Sequence, residues 1–540
     1  MLVSVLRAVV LGAILMAVTA VRAEYQVNFF ANLTFEMADG VILRGDAYVP
    51  VPKVAGETFP VLVFPNSWGM PQFEYILKAL AFGEEGFIAV EYETRGWYES
   101  GGIIDVCGPL DISDATTVLD RVLVRSDWNV NISKIAFVGI SYGAGISLSM
   151  AGTDPRLTTA VVLSGWNNLT DAIYPYHTPN LLWGGLLELL AGIVGHQSDK
   201  LKDLFTDLLA HKNMSFVLDF AAKRSPGRLL DTMNAWNVPL FISGNFLDRL
   251  FQPERMLDFF TTLTTPKMLL LNQGMHAEPE ALGLFDVPDN YIWGKAKKWL
   301  HHWLKDEHNG IMEEPYLHAE VGGSIFDEEY RTFSSWPSPN ATTLQYHFSP
   351  RSGFVNHFGG LTAAATNSSI VDVIHYGEDS GISSGIPLVG DALSTVGIAV
   401  SADLSLTNTK TSIVFISDPT TQPLTVCGTP TFDVSLIVPT AGDWQIAAFL
   451  YEVDDLGVGQ LISDTSYTHY QDDTEFTSRF DLRDVMLHSF CRVVDQGKRF
   501  AIGFALYSNL YQPANSDPSL EVRIVYDQDA QNMLRLPIQP

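Results

Sequence analysis

Between Phe59 and Trp303 the chain alternates short apolar runs with longer stretches of helical periodicity. Phe59–Phe64, Phe87–Tyr92, Ile135–Ile140 and Thr159–Leu163 are mostly apolar runs of strand length. Gln72–Glu84 and Leu110–Val124 instead repeat their apolar positions at the spacing of one helix face. That order predicts a mostly parallel sheet with helices on both faces, because buried strands lose their polar alternation. Upstream, between Glu24 and Pro50, two alternating stretches predict an antiparallel hairpin turning at Ala38-Asp39-Gly40. The alternation breaks over Asn167–Trp236, where Leu181–Val194 is strongly apolar at helical spacing and Lys200–Ala222 is amphipathic. A helical cap over the carboxyl ends of the strands is expected there. The sheet pattern resumes at Val238–Ile242 and Lys267–Leu271, and Tyr291–Trp303 predicts a closing helix. After about Glu313 helical periodicity disappears. Runs such as Leu344–Phe348, Ile370–His375, Val396–Ala402 and Trp444–Tyr451 recur between turn residues, which predicts a β-sandwich or jelly roll. The expected organisation is therefore an α/β unit over residues 24–312, with its cap at about 167–236, followed by an all-β unit over 313–540.

One strand ends in chemistry. Ile135–Gly145 reads I-A-F-V-G-I-S-Y-G-A-G: an apolar strand, a G-x-S-x-G turn at Gly139–Gly143, and a small-residue helix. Strand, sharp turn and helix is the setting in which this motif lifts a serine hydroxyl above a sheet edge. Ser141 is the candidate nucleophile. In such a topology the acid follows a late strand and the histidine follows the last one. Asp248 lies just past the Val238–Ile242 strand, and His276 follows Lys267–Leu271 and a glycine-containing turn. His301 and His302 fall inside a helix, and Asp286 and Asp289 come after His276, against the expected order. The tetrahedral oxyanion needs preset donors. The Tyr142 amide is one candidate, and the loop after Phe59–Phe64 supplies the other, the Trp68 amide, with Ser67 as the alternative.

Composition narrows the partners. With 47% hydrophobic and 17% charged residues the chain is globular. Lys+Arg 33 against Asp+Glu 61 gives a net charge of −28, which repels nucleic acid and anionic membrane. Met1–Ala23 has the charged start, apolar run and small-residue end of a cleaved signal peptide, so a secreted or secretory-pathway protein is expected. Sequons at Asn32, Asn131, Asn168, Asn213, Asn340 and Asn367 are compatible with that route. Of the three cysteines, Cys427 and Cys491 could pair in an oxidising compartment, or all three, Cys107 included, could stay buried thiols. No spacing resembles a metal site, and neither a metal nor a cofactor is expected.

With these residues in place the chain resembles the Xaa-Pro dipeptidyl-peptidase-like family, which includes the cocaine-esterase-like hydrolases. Asp39–Pro50 is similar to the family's opening hairpin, and Arg95-Gly96-Trp97-Tyr98-Glu99-Ser100-Gly101-Gly102 to its R-G-x-x-x-S-x-G loop. Gly108-Pro109-Leu110-Asp111 followed by G-I-S-Y-G-A-G resembles its core block, and Pro423–Pro430 part of its C-terminal jelly roll. The resemblance implies an alpha/beta-hydrolase fold with a helical cap and a jelly-roll domain that walls the pocket, and it supports Ser141, Asp248 and His276 as a triad. In some relatives a tyrosine hydroxyl assists the oxyanion; the corresponding loop here reads N-S-W-G, so that role does not carry over. The expected substrate is a small ester or amide, or a short peptide. A dipeptidyl-peptidase would need carboxylates to grip a free ammonium, for which Glu91, Glu93, Glu99 and Asp105 are available. A reading of another class is a catalytically inactive hydrolase fold that works as a binding protein.

Overall fold

The computed structural model describes residues 23–285, 290–322, 329–351, 357–377, 380–382, 401–471, 477–508, 511–514 and 517–539. The expected leader up to Arg22, Asp286, Asp289 and most of the Val396–Ala402 run lie outside the described residues.

The first half is built on one sheet of ten described strands. In chain order its opening members are β1 (Val27–Glu36), β2 (Ile42–Pro50) and β3 (Phe59–Pro65). Helix α1 (Ile76–Glu84) leads to β4 (Ile88–Tyr92), and α2 (Pro109–Leu123) leads to β5 (Val130–Ile140). Then come α3 (Tyr142–Ala151) and β6 (Thr159–Leu163). The helical stretch that follows contains α4 (Leu169–Ile173), α5 (Leu181–Val194), α6 (Asp199–Leu209), α7 (Met214–Lys223) and α8 (Leu230–Trp236). The sheet resumes with β7 (Leu240–Asn245), α9 (Pro253–Thr262) and β8 (Lys267–Asn272), and ends with α10 (Glu278–Leu282), α11 (Tyr291–Lys305), β9 (Leu317–Val321) and β10 (Glu329–Phe333).

In space the order is β1-β2-β4-β3-β5-β6-β7-β8-β9-β10. The run from β4 to β9 is parallel, and β1, β2 and β10 add antiparallel edges. Every residue of β3 and β6 is buried, which is why their sequences read as unbroken apolar runs. The chain winds from β3 outward to β4 and then returns to place β5 on the other side of β3. The carboxyl end of β5 therefore sits at a reversal of winding, where open α/β sheets leave a crevice. Trp299 of α11 is fully buried against the sheet, its indole N–H donating to Thr159 Oγ1 at 2.8 Å.

The sheet runs past the expected boundary at residue 313. β9 pairs in parallel with β8, with His318 opposite Leu270, and β10 pairs antiparallel with β9. Leu317, Ala319 and Val321 pack in the same apolar cluster as Leu269 and Leu271. A five-residue alternating run gives no sign of which sheet it will join; the partner strands decide.

Beyond β10 the described residues form fourteen strands, mostly antiparallel, around two apolar clusters, with one short 3₁₀ turn at Leu404–Leu406. Cys427 and Cys491 face each other across the antiparallel pair Leu424–Gly428 and Phe490–Val494 and form a disulfide, while Cys107 remains a buried thiol. Both half-cystines also pack in the cluster of Leu317, Ala319 and Val321, so the two sheets share apolar core.

Candidate active site

The turn between β5 and α3 is the strained point of the molecule's first half. Ser141 has φ 53° and ψ −113°, a conformation that a residue with a Cβ adopts only when its surroundings impose it. Those surroundings are explicit. A Cβ on Gly139 would lie 2.3 Å from the Gly143 carbonyl carbon, and one on Gly143 would lie 2.2 Å from the Pro65 oxygen. Only glycines let strand, turn and helix cross this closely. The Ser141 N–H is fixed to the Leu163 oxygen at 2.9 Å, and its side chain is left pointing toward the cap.

The three residues expected to act together are brought together. Ser141 Oγ lies 2.7 Å from His276 Nε2, and His276 Nδ1 lies 2.7 Å from Asp248 Oδ2. Asp248 is 1% exposed, and its other oxygen accepts the N–H groups of Leu250 at 2.9 Å and Phe251 at 2.8 Å. A carboxylate there can only accept, which assigns the proton to Nδ1 and leaves Nε2 to accept from the serine hydroxyl. The rings of Trp183 and Phe251 stand edge-on to the imidazole at 5.5 and 4.9 Å and shield it from solvent.

The oxyanion candidates separate on their hydrogen bonds. Tyr142 is the first residue of α3, so its amide has no intrahelical acceptor and points outward at the turn. The Ser67 amide is consumed: it donates to Glu74 Oε2 at 2.7 Å, and the Ser67 hydroxyl contacts Glu74 Oε1 at 2.6 Å and the Ile140 oxygen at 2.9 Å. Trp68 lines the same cavity as Ser141, and its amide has no intramolecular acceptor among the described residues. Its indole N–H is tied to the Leu187 oxygen at 3.0 Å, and its ring packs edge-on to Tyr142 and Trp97. Glu74, which sequence reasoning missed, thus anchors the loop; burial pushes its carboxyl up to about 7 against the opposing Ser67 bonds.

Behind the elbow, the Tyr142 hydroxyl donates to Asp111 Oδ2 at 2.5 Å, and the Cys107 N–H reaches the same carboxylate at 2.8 Å. Burial, with the nearby Asp105, pushes Asp111 up to about 7. None of the carboxylates considered for gripping an ammonium lines the cavity. Glu91 is buried under the Tyr48 hydroxyl, Glu99 is exposed, Glu93 accepts the Gln72 and Glu99 amides, and Asp105 is paired with Arg224 at 2.7 Å. Glu188 of α5 does line the cavity, four residues after Gly184 on the same helix face. That spacing was the available signal.

The cavity is half open to solvent, with a volume of about 120 Å³. Leu187, Leu201, Leu204, Phe205 and Leu208 of the cap form one wall, and Ser141, Trp166 and Phe251 belong to the other.

Sheet order, elbow and hydrogen-bonded Ser-His-Asp line together define an α/β-hydrolase fold with a serine-hydrolase type of site. Residues 39–278 match the family described as X-Pro dipeptidyl-peptidase (S15 family). Among curated relatives, a polyketide transferase of Penicillium crustosum is 30% identical over 132 residues, 24% of this chain and 41% of that one. A putative Xaa-Pro dipeptidyl-peptidase of Bacillus anthracis is 20% identical over 244 residues, 40% of this chain and 36% of that one. The chain thus spans well under half the length of either relative. A CocE/NonD family hydrolase from Staphylococcus aureus superposes with a TM-score of 0.71 at 14% identity, covering 95% of this chain and 94% of that one. At that identity the likeness is one of fold, and it extends over both sheets.

Proposed function

We propose that the chain is a secreted serine hydrolase that cleaves ester or amide bonds of small substrates with an apolar acyl group. One observation carries this reading: the unbroken line from Ser141 Oγ through His276 to buried Asp248, opening on an apolar cavity. In the mechanism, His276 Nε2 takes the Ser141 proton as the oxygen attacks the substrate carbonyl. The Tyr142 and Trp68 amides stabilise the oxyanion, and removing one such donor elsewhere costs about 3 kcal/mol of barrier. His276 then protonates the leaving group, and water, deprotonated by the same imidazole, hydrolyses the acyl-enzyme. Asp248 holds the ring orientation and stabilises the imidazolium throughout. The Cys427–Cys491 disulfide supports an oxidising compartment, in keeping with the leader.

A second reading, an Xaa-Pro dipeptidyl-peptidase, draws on the family match and on Glu188, the acidic residue on the cavity lining. It ranks lower because the remaining lining is overwhelmingly apolar. Turnover of p-nitrophenyl acyl esters against Gly-Pro-p-nitroanilide decides between them, and a clear preference for the peptide would reverse the order. Labelling by a fluorophosphonate probe, absent in Ser141→Ala, tests the enzyme itself. A folded wild-type chain that takes no label would leave the binding-protein reading standing.

A further inference from the structure

The candidate acid is held from outside its own sheet. Asp248 opens a short loop after β7, and the next residue, Arg249, extends its guanidinium into the second sheet. Its Nε and Nη2 both donate to Oδ1 of Asp464, at 2.9 and 2.7 Å. Asp464 lies on the strand Val458–His469, and both side chains are buried, at 8% and 1% exposure. At the far end of the loop, Glu254 in the first turn of α9 accepts from His488 Nδ1 at 3.0 Å and from the Ser489 N–H at 3.2 Å. This pair is buried as well. The His488 N–H donates to the Asp464 carbonyl at 3.3 Å, so the two grips are one structural unit.

Between these grips lie the atoms that shape the acid. Leu250 and Phe251 give Asp248 two of its hydrogen bonds, and Phe251 also walls His276. Asn180, from the cap, donates to the Arg249 carbonyl at 2.9 Å. If the ends of residues 248–254 shift, those bonds shift with them. Buried ion pairs are poor sources of stability, since apolar residues of similar volume serve as well or better, so glue alone does not account for two of them here. Their fixed donor geometry specifies where the loop sits. The His488 side chain faces Glu254, Asp464 and Arg249; burial opposes its protonation, but the Glu254 carboxylate outweighs that and keeps it charged to higher pH than an ordinary histidine.

We propose that Asp464 and His488, supplied by the all-β half, are positioning residues that set Asp248 against His276. The inference rests on the triad reading above. On this account the second sheet is a working part of the active site.

The test compares Asp464→Asn and His488→Gln with wild type and with Ser141→Ala, in the full chain, using a p-nitrophenyl ester. Misplacing a reacting group by an ångström from a distant substitution can cost up to about 100-fold. The expected result is a kcat lowered about 10- to 100-fold with KM changed by much less than kcat, because the cap wall of the acyl cavity is untouched even though Leu250 and Phe251 lie on the opposite wall. The deshielded proton shared by His276 and Asp248 should also shift or broaden in the proton NMR spectrum. Asp464→Asn leaves the Arg249 charge buried and could fail to fold. In that event Arg249→Met combined with Asp464→Leu removes both charges at similar volume and is read in the same way, as is His488→Gln, which keeps an amide donor toward Glu254. Folded variants with unchanged kcat and an unchanged shared-proton signal, differing only in melting temperature, would overturn the proposal. Turnover retained in Ser141→Ala would instead overturn the triad reading on which it stands.

Discussion

At Gly143 a single missing Cβ governs whether the serine can present its oxygen. Any side chain there would press on the Pro65 oxygen at 2.2 Å, well inside contact distance. Either the elbow or the end of β3 must move, and the loop carrying Trp68 follows directly after β3. Gly143→Ala is therefore expected to lower kcat by at least about 100-fold, the scale set by small misplacements of catalytic groups. It should also lower the melting temperature, and both are measured on the purified variant. Near-normal turnover would mean that the elbow has slack that the crossing distances deny. The residues of this site differ in how visible they were beforehand. Ser141, Asp248 and His276 were legible because each is tied to the end of a strand that sequence reveals. Glu74 was not, because its role is to occupy the Ser67 amide and hydroxyl seven residues away, and only folded geometry aims it there.

Among the elements, the cap sets what reaches the serine. Helices α5 and α6 approach so closely that a Cβ on Gly184 would sit 2.3 Å from the Phe205 ring. Phe205 fills the seam between them and lines the cavity. Phe205→Ala should open that wall and shift preference toward longer acyl chains. Methylene-sized differences in apolar pockets are worth roughly 10-fold or more, so the ratio of kcat/KM for p-nitrophenyl decanoate over acetate should rise by about that factor. A ratio that stays constant across the pair would remove the cap helices from acyl recognition. The cap was readable from Leu181–Val194, whose apolar positions exceed what a helix covering a sheet needs. Where the first sheet ends was not readable: the alternation of Leu317–Val321 is the same as that of the later strands, and only its register with β8 assigns it. The partner of Asp248's neighbour was equally hidden, since Arg249 and Asp464 are 215 residues apart.

For the whole molecule, the excess of acid groups becomes a statement about pH. Burial pushes Glu74, Glu93 and Asp111 each up to about 7, whereas in an unfolded chain they would ionise near 4. Between those values the folded state binds more protons than the unfolded one, so stability falls as pH rises through that window and levels off above it. The net charge of −28 adds self-repulsion in the same direction. Other carboxylates act oppositely. At Asp433 burial is outweighed by the Arg535 guanidinium, and at Asp154 by Arg156, so both carboxyls ionise below the usual range and their stabilisation is lost as pH falls toward 4 and below. The two tendencies place the highest melting temperature near pH 5, with a decline toward pH 8. Asp111→Asn isolates one contributor. Its amide oxygen can take the place of Oδ2 and accept from Tyr142 and Cys107, while the ionisation is gone, so the variant's decline between pH 5 and 8 should be shallower than that of wild type. A wild-type melting temperature that is flat or rises from pH 5 to 8 would contradict the buried-acid account. A variant curve parallel to wild type would show that the carboxyl behind Tyr142 contributes nothing to the slope.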